Sequence, residues 1–224
     1  MSRMLASVNC LEEALLAQAA HVDIIDLKQP KLGALGALEV SLVQKIVTHI
    51  NKQTPISATI GDLPMQTDII VDAINKMANT KVDYIKIGFF PSDNWADIIN
   101  DLKIFTDAGL KLIAVLFADQ QPDIQSLTLF SKAGFHGVML DTMNKSQGSL
   151  TQVMPFENIQ TFVKLAKQSQ LLCGLAGSLR ATDIAKLSPL QADYLGFRGA
   201  LCEGHQRTEK INPAALQTIK AQLC

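Results

Sequence analysis

The sequence predicts a compact (β/α)8 barrel, an α/β fold in which residues 1–224 form a single domain. Three observations carry this prediction. Eight short apolar runs of strand type recur from end to end, and helix-like segments separate them. These eight units share 224 residues, about 28 each. No linker, low-complexity stretch or break in composition divides the chain. A doubly wound open sheet would also alternate strand and helix, but the count of eight favours closure.

The elements follow in order. Met4–Val8 precedes a helical segment rich in Ala and Leu at Glu12–Ala20. Asp23–Lys28 leads to Leu38–Asn51, where Leu42, Ile46 and Ile50 fall on one helix face. Pro55–Gly61 is followed by Asp68–Met77, and Tyr84–Gly88 by Asp93–Ala108. Gly109 ends that helix because glycine takes the left-handed position past the last turn at low steric cost. Lys111–Ala118 precedes Asp123–Ala133, which Gly134 ends in the same way. Gly137–Asp141 precedes Phe156–Gln168, and Leu171–Gly177 precedes Leu179–Leu187. Tyr194–Ala200 and the helix Pro213–Leu223 close the chain, with Asn212 as N-cap and Pro213 at the first helical position.

Composition narrows the function classes. The chain is 48% hydrophobic and 18% charged, enough apolar side chain to bury a core. Its apolar runs, such as Leu112–Ala118, fall short of the roughly 20 residues of a membrane span. Glu12 and Glu13 stand where a signal peptide needs its apolar centre, so a cytoplasmic protein is expected. Net charge is −1, which argues against a broad nucleic-acid footprint but leaves room for a local cationic pocket. Cys10, Cys173, Cys202 and Cys224 lack metal spacing and read as reduced thiols. His21, His49, His136 and His205 form no metal spacing either, and no metal is expected. His205 lies in a polar loop after the eighth strand that could cover a site.

Strand alternation places the charges. Ile25 and Leu27, Ile85 and Ile87, Val138 and Leu140, and Leu195 and Phe197 belong outward, against helices. Asp26, Lys28, Lys86, Asp141 and Arg198 then point inward from the second, fourth, sixth and eighth strands, whose side chains share layers. Charges in a packed interior are costly unless paired, so five converging at one end suggest a site. Lys145, four residues past Asp141, reaches the same face if the chain turns helical there.

The last two strands end in glycine turns, Gly174 to Leu179 and Gly196 to Leu201. Barrel phosphate sites commonly form from these two loops. Gly174, Ala176, Gly177, Ser178, Arg198, Gly199 and Ala200 are the expected phosphate contacts. Clustered lysines beside carboxylates suit imine chemistry, because a lysine nucleophile must be neutral and carboxylates can carry the protons. With a phosphate grip opposite, the residues read as a class I aldolase-like lyase or synthase for small phosphorylated aldehydes. Spacing alone does not decide which lysine forms the imine.

The block Asp26-Leu27-Lys28-Gln29-Pro30-Lys31-Leu32-Gly33-Ala34-Leu35-Gly36-Ala37 resembles the signature of the (5-formylfuran-3-yl)methyl phosphate synthase family. Tyr84 to Gly88, Met139 to Thr142 with Lys145, Gly174 to Leu179, and Phe197 to Cys202 are similar to its other blocks, in the same order. The resemblance implies a barrel that condenses two glyceraldehyde 3-phosphates to 4-(hydroxymethyl)-2-furancarboxaldehyde phosphate, with loss of one phosphate and of water. That product is the furan precursor of methanofuran. No metal or organic cofactor is implied. Lys28 would form the imine, and Asp26, Lys86, Asp141 and Lys145 would be the other catalytic residues. Another Schiff-base aldolase and a non-catalytic barrel that binds a phosphorylated metabolite are the alternatives. Assembly into a homo-oligomer stays open, because no apolar surface stripe marks an interface.

Overall fold

The computed structural model describes residues 2–223. Eight parallel strands follow one another around a closed barrel, and the last pairs with the first. They are β1 (Arg3–Val8), β2 (Ile24–Leu27), β3 (Ile56–Thr59), β4 (Tyr84–Phe89), β5 (Leu112–Phe117), β6 (Gly137–Asp141), β7 (Leu172–Leu175) and β8 (Tyr194–Phe197). The helices are α1 (Leu11–Ala19), α2 (Val40–Ile50), α3 (Thr67–Ala78), α4 (Trp95–Asp101), α5 (Lys103–Asp107), α6 (Leu127–Lys132), α7 (Leu150–Val153), α8 (Phe156–Gln168), α9 (Ala181–Leu187) and α10 (Pro213–Gln222). The barrel expected from the eight runs is the fold observed.

Each strand sorts its side chains by parity, because successive residues face opposite sides of the sheet. Ile25, Leu27, Ile85, Ile87, Val138, Leu140, Leu195 and Phe197 all pack in the large core between barrel and helices, as the alternation predicts. A smaller cluster containing Leu5, Ile24, Ile113, Val115, Met139 and Tyr194 fills the barrel interior. The polar residues of the same parity sit above this plug.

Helix ends follow local chemistry. Gly109 and Gly134 take left-handed φ of +87° and +77° past their helices. The Asn212 side chain accepts from the N–H groups of Ala214 and Ala215, and Pro213 occupies the first helical position. The segment expected as one helix, Asp93–Ala108, is two, α4 and α5, which meet at the buried Leu102. Asp123–Ala133 begins with a 3-10 turn, Ile124–Ser126, because the Asp123 carboxylate captures the Gln125 N–H. The short α7 was not foreseen. It opens with a capping box in which Ser149 and Gln152 exchange side-chain and backbone bonds. Cys173 and Cys202 are buried free thiols and Cys10 is a half-buried one, while Cys224 lies outside the described residues. Burial pushes the Cys202 thiol up to about 11. Among the described residues, no helix is long and apolar enough to cross a membrane.

Candidate active site

The site sits at the C-terminal ends of the strands, where a cavity of about 270 Å³ opens. Asp26 is its most buried member, at 0% exposure near the end of β2. Ser7 on β1 and Ser57 on β3 lie directly beside it in the strand registers. Their hydroxyls donate to its two oxygens at 2.8 and 2.6 Å. Lys86 on β4 donates to the Asp26 carboxylate at 2.9 Å, and both side chains are 3% exposed or less. Burial raises the Asp26 pKa, but the charges of Lys86 and Lys28 and the Ser57 hydrogen bond outweigh it and hold the carboxyl below its usual range.

Asp141, at the end of β6, anchors the second pair. Lys28 Nζ donates to its Oδ2 at 3.1 Å. Its Oδ1 accepts from the Thr142 N–H at 2.7 Å and from Lys145 Nζ. Lys145 also donates to Thr142 Oγ1 at 3.2 Å. Burial opposes the Asp141 charge, yet Lys145, Lys28 and Lys86 hold its pKa far below the usual carboxylate value. The five expected catalytic residues thus form two linked charge clusters over the interior plug. Lys145 meets Asp141 by a different path from the helical face expected, since a turn separates β6 from the 3-10 helix Lys145–Gln147. Burial brings the Lys145 pKa down to about 8, against the attraction of Asp141 and with help from the charges of Lys28 and Arg207.

Two aspartates fix the loops that carry these lysines. Asp62 accepts from the N–H groups of Ala34 and Leu35 at 2.8 and 2.6 Å, which pins the segment after Lys28. Gly33 has φ +119°, and a Cβ there would sit 2.0 Å from Asp62 Oδ2. Only glycine gives that carboxylate its place. Asp119 accepts from Met143 and Asn144 N–H at 2.7 Å each, which sets the turn before Lys145.

The phosphate expectations divide. Ala176, Gly177, Ser178, Arg198 and Gly199 line the cavity. Gly177 and Ser178 both have positive φ, +104° and +51°, so the turn after β7 presents its backbone to the cavity. The N–H groups of Gly177, Ser178 and Gly199 find no acceptor among the described residues. Gly174 lies lower, beneath Met139 in a small apolar void of the barrel interior. Ala200 is buried and does not line the cavity.

Arg198 reaches the cavity as expected, but its guanidinium is already engaged. Its backbone leaves the strand at φ −133°, ψ −69°, and its guanidinium turns aside at the rim toward α1. The Glu13 carboxylate takes two of its N–H groups, and the carbonyls of Ser7, Arg207 and Glu209 take the other three. All five donors are spent within the chain, so this side chain brings no free N–H to a phosphate. Glu13 is the unforeseen partner. It lies on the buried stripe of α1 with Ala14 and Ala17, and a carboxylate on an apolar stripe was the signal available. The sequence reading also missed Ser7, Ser57, Arg180 and Arg207. The serines were legible as polar residues at inward parity, whereas the arginines lie in loops without periodicity. Among the described residues, no group of three or more His, Cys, Asp or Glu could hold a metal ion.

The family model described as 4-HFC-P synthase matches residues 4–220. This chain belongs to the 4-HFC-P synthase family. A Methylorubrum extorquens relative that carries the synthase name provisionally is 38% identical, covering 98% of this chain and 91% of its own length. The (5-formylfuran-3-yl)methyl phosphate synthase of Methanosarcina acetivorans is 32% identical, over 92% of this chain and 93% of that protein. Its Methanocaldococcus jannaschii namesake is 31% identical over 99% of both chains. The fold is similar to that of 3-hexulose-6-phosphate synthase from Salmonella typhimurium, with TM-score 0.69 and 14% identity over 98% of this chain and 99% of that one. Phosphoribosyl anthranilate isomerase from Thermus thermophilus is similar at TM-score 0.68 and 13% identity, over 99% and 98%.

Proposed function

We propose that this member of the synthase family condenses two glyceraldehyde 3-phosphates to 4-(hydroxymethyl)-2-furancarboxaldehyde phosphate through an imine on Lys28, as a step toward a methanofuran-type carrier. The observation that carries the reading is the buried set of three lysines on two aspartates beneath a cavity with backbone donors at its rim. The identity of the relatives over almost the whole chain supports the product class. The balance is one phosphate and two waters lost from two triose phosphates.

The Lys28 amine attacks the carbonyl carbon of one triose phosphate. Asp141, 3.1 Å from Lys28 Nζ, receives the proton and returns it to the departing hydroxyl as water leaves. Loss of the proton beside the imine gives an enamine, whose carbon bonds to the second triose phosphate. Phosphate is expelled from the second unit, a hydroxyl oxygen of that unit closes the ring on the imine carbon, the Lys28 amine departs from that carbon, and a second dehydration completes the furan. Lys86 holds Asp26 charged beside this chemistry. Lys145 acts as the acid on leaving oxygens. Gly177 and Ser178 receive one substrate phosphate on their N–H groups. The reaction needs no electron transfer, and no cofactor or metal is invoked. The absence of broad basic charge fits a small-molecule substrate rather than nucleic acid, and the reading is of a cytoplasmic enzyme.

Incubation with glyceraldehyde 3-phosphate, with and without borohydride, tests the reading by peptide mass spectrometry and ultraviolet absorbance. A reduced triose adduct on Lys28 and a furan aldehyde in the untreated sample are expected, and Lys28→Ala abolishes both. An adduct without furan moves the assignment to a simple aldolase. Neither product leaves a metabolite-binding barrel.

A further inference from the structure

A condensation of two triose phosphates brings two phosphate dianions into one cavity. The cavity lining holds six cationic side chains, Lys28, Lys86, Lys145, Arg180, Arg198 and Arg207, against two carboxylates. The three lysines are engaged with those carboxylates, and Arg198 is neutralised by Glu13. Arg180 and Arg207 have no carboxylate partner among the described residues.

The two arginines come from different loops and meet at one place. Arg180 precedes α9, and its Nη1 reaches the His205 carbonyl at 3.4 Å. Arg207 lies on the strap between β8 and α10, and its Nη1 donates to the Gly33 carbonyl at 3.1 Å. Each guanidinium keeps its other N–H groups uncommitted. A Cβ built on Gly199 would lie 3.8 Å from Arg180 Nη1 and 3.9 Å from Arg207 Cβ, so the two side chains flank the same glycine. The strap is turned inward by left-handed residues, Gly204 at φ +57° and His205 at φ +59°. Arg198 fixes it by binding the carbonyls of Arg207 and Glu209.

We infer that Arg180 and Arg207, with the N–H of the Gly199 they flank, form a second phosphate-monoester subsite, which holds the phosphate of the second triose phosphate while the first rests on the backbone donors of Gly177 and Ser178. This inference rests on the two-triose reading above. A planar guanidinium fork suits a phosphate bidentately, and two forks from separate loops can close around one dianion. Separate seats also keep two dianions from sharing one set of donors, where their mutual repulsion would oppose joint binding.

The test compares wild type with Arg180→Gln, Arg207→Gln and the double variant. Two readouts are taken against glyceraldehyde 3-phosphate concentration: the borohydride-trapped adduct on Lys28, and the initial rate of furan formation. In the double variant, adduct trapping should keep its wild-type half-saturation, while furan formation at low substrate falls about a hundredfold. Inorganic phosphate, titrated calorimetrically, should bind at two equivalents to wild type and one to the double variant. Unchanged furan kinetics, or one equivalent in both proteins, overturns the subsite. An equal shift of both substrate curves assigns the arginines to the first phosphate and also overturns it. Wild type with two phosphate equivalents but neither adduct nor furan overturns the reaction and leaves the subsite standing. Arg180 is exposed, so the single Arg180→Gln variant keeps the test free of folding defects; it should lower furan formation and leave adduct trapping unchanged, and wild-type furan kinetics in it count against the subsite.

Discussion

Aspartates ring both ends of this barrel and do different work at each. At the N-terminal end, Asp23, Asp83 and Asp193 stand just before β2, β4 and β8. Each carboxylate accepts a backbone N–H from the strand before or beside it: Met4 at 2.8 Å, Ile56 at 2.8 Å and Cys173 at 2.7 Å. His136 takes the corresponding place before β6, where its N–H bonds the Leu112 carbonyl and its ring lies 5.4 Å from that of Tyr84. Asp23 also takes the Lys220 ammonium at 2.7 Å, in a partly exposed pair. At the C-terminal end, Asp26 and Asp141 face buried lysine ammoniums that line the cavity. A peptide N–H cannot give up its proton at ordinary pH, whereas a lysine can. The lower ring, which does not line the cavity, supplies structure, and the upper ring supplies structure together with exchangeable charge inside the cavity.

The same chemical change at each end separates the two. Asp26→Asn leaves the Lys86 ammonium buried without a counter-charge, which should cost about 3–5 kcal/mol of stability. Turnover should fall with it, and Lys86→Met in the same background should recover much of the stability but none of the activity. Denaturant titration with parallel assays checks both statements. A stable, active Asp26→Asn protein would erase the distinction between the ends.

Lys145 sharpens the comparison through pH. With its pKa brought down to about 8, the ammonium form dominates below that value and is lost above it. As the acid for leaving oxygens, Lys145 should give a rate that falls as pH rises through about 8, and Lys145→Ala should lack that limb. A rate that rises through the same range would make Lys145 a base. The stability sign runs the other way. The unfolded chain keeps its proton to the ordinary lysine value of 10.5, so this group makes the fold more stable as pH climbs from about 8 toward 10.5.

Asp83→Asn should have the smallest effect. Its carboxamide oxygen can still accept the Ile56 N–H, so the loss should stay near 1 kcal/mol with turnover unchanged. A loss of activity there would connect the lower ring to the chemistry.

The contrast between regular and irregular backbone also sets what could be read from sequence. Asp26, Lys28, Lys86 and Asp141 were legible because each sits in or directly after a strand whose flanking Ile, Leu and Val fix the parity. Arg198 follows the same parity by number, but the chain has already left the strand when it is reached. Its fate depended on Glu13, distant in sequence, and on loop carbonyls that no pattern announces. Arg180 and Arg207 lie where side-chain direction is set by tertiary contacts alone. The break between α4 and α5 and the extra turn of α7 likewise come from local capping rather than hydrophobic period.

The bond between Arg198 and Glu13 joins positions 185 residues apart, across the seam where β8 meets β1. The same arginine bonds the carbonyl of Ser7, whose hydroxyl holds Asp26. A chain emerging from the ribosome has β1 to β7, with Ser7 and Glu13, in hand before Arg198 exists. The rim of the cavity can therefore be completed only after nearly the whole polypeptide has been made. Truncated or stalled chains would carry the charged floor without the strap that covers it, and so would leave the lysine and aspartate cluster open to water.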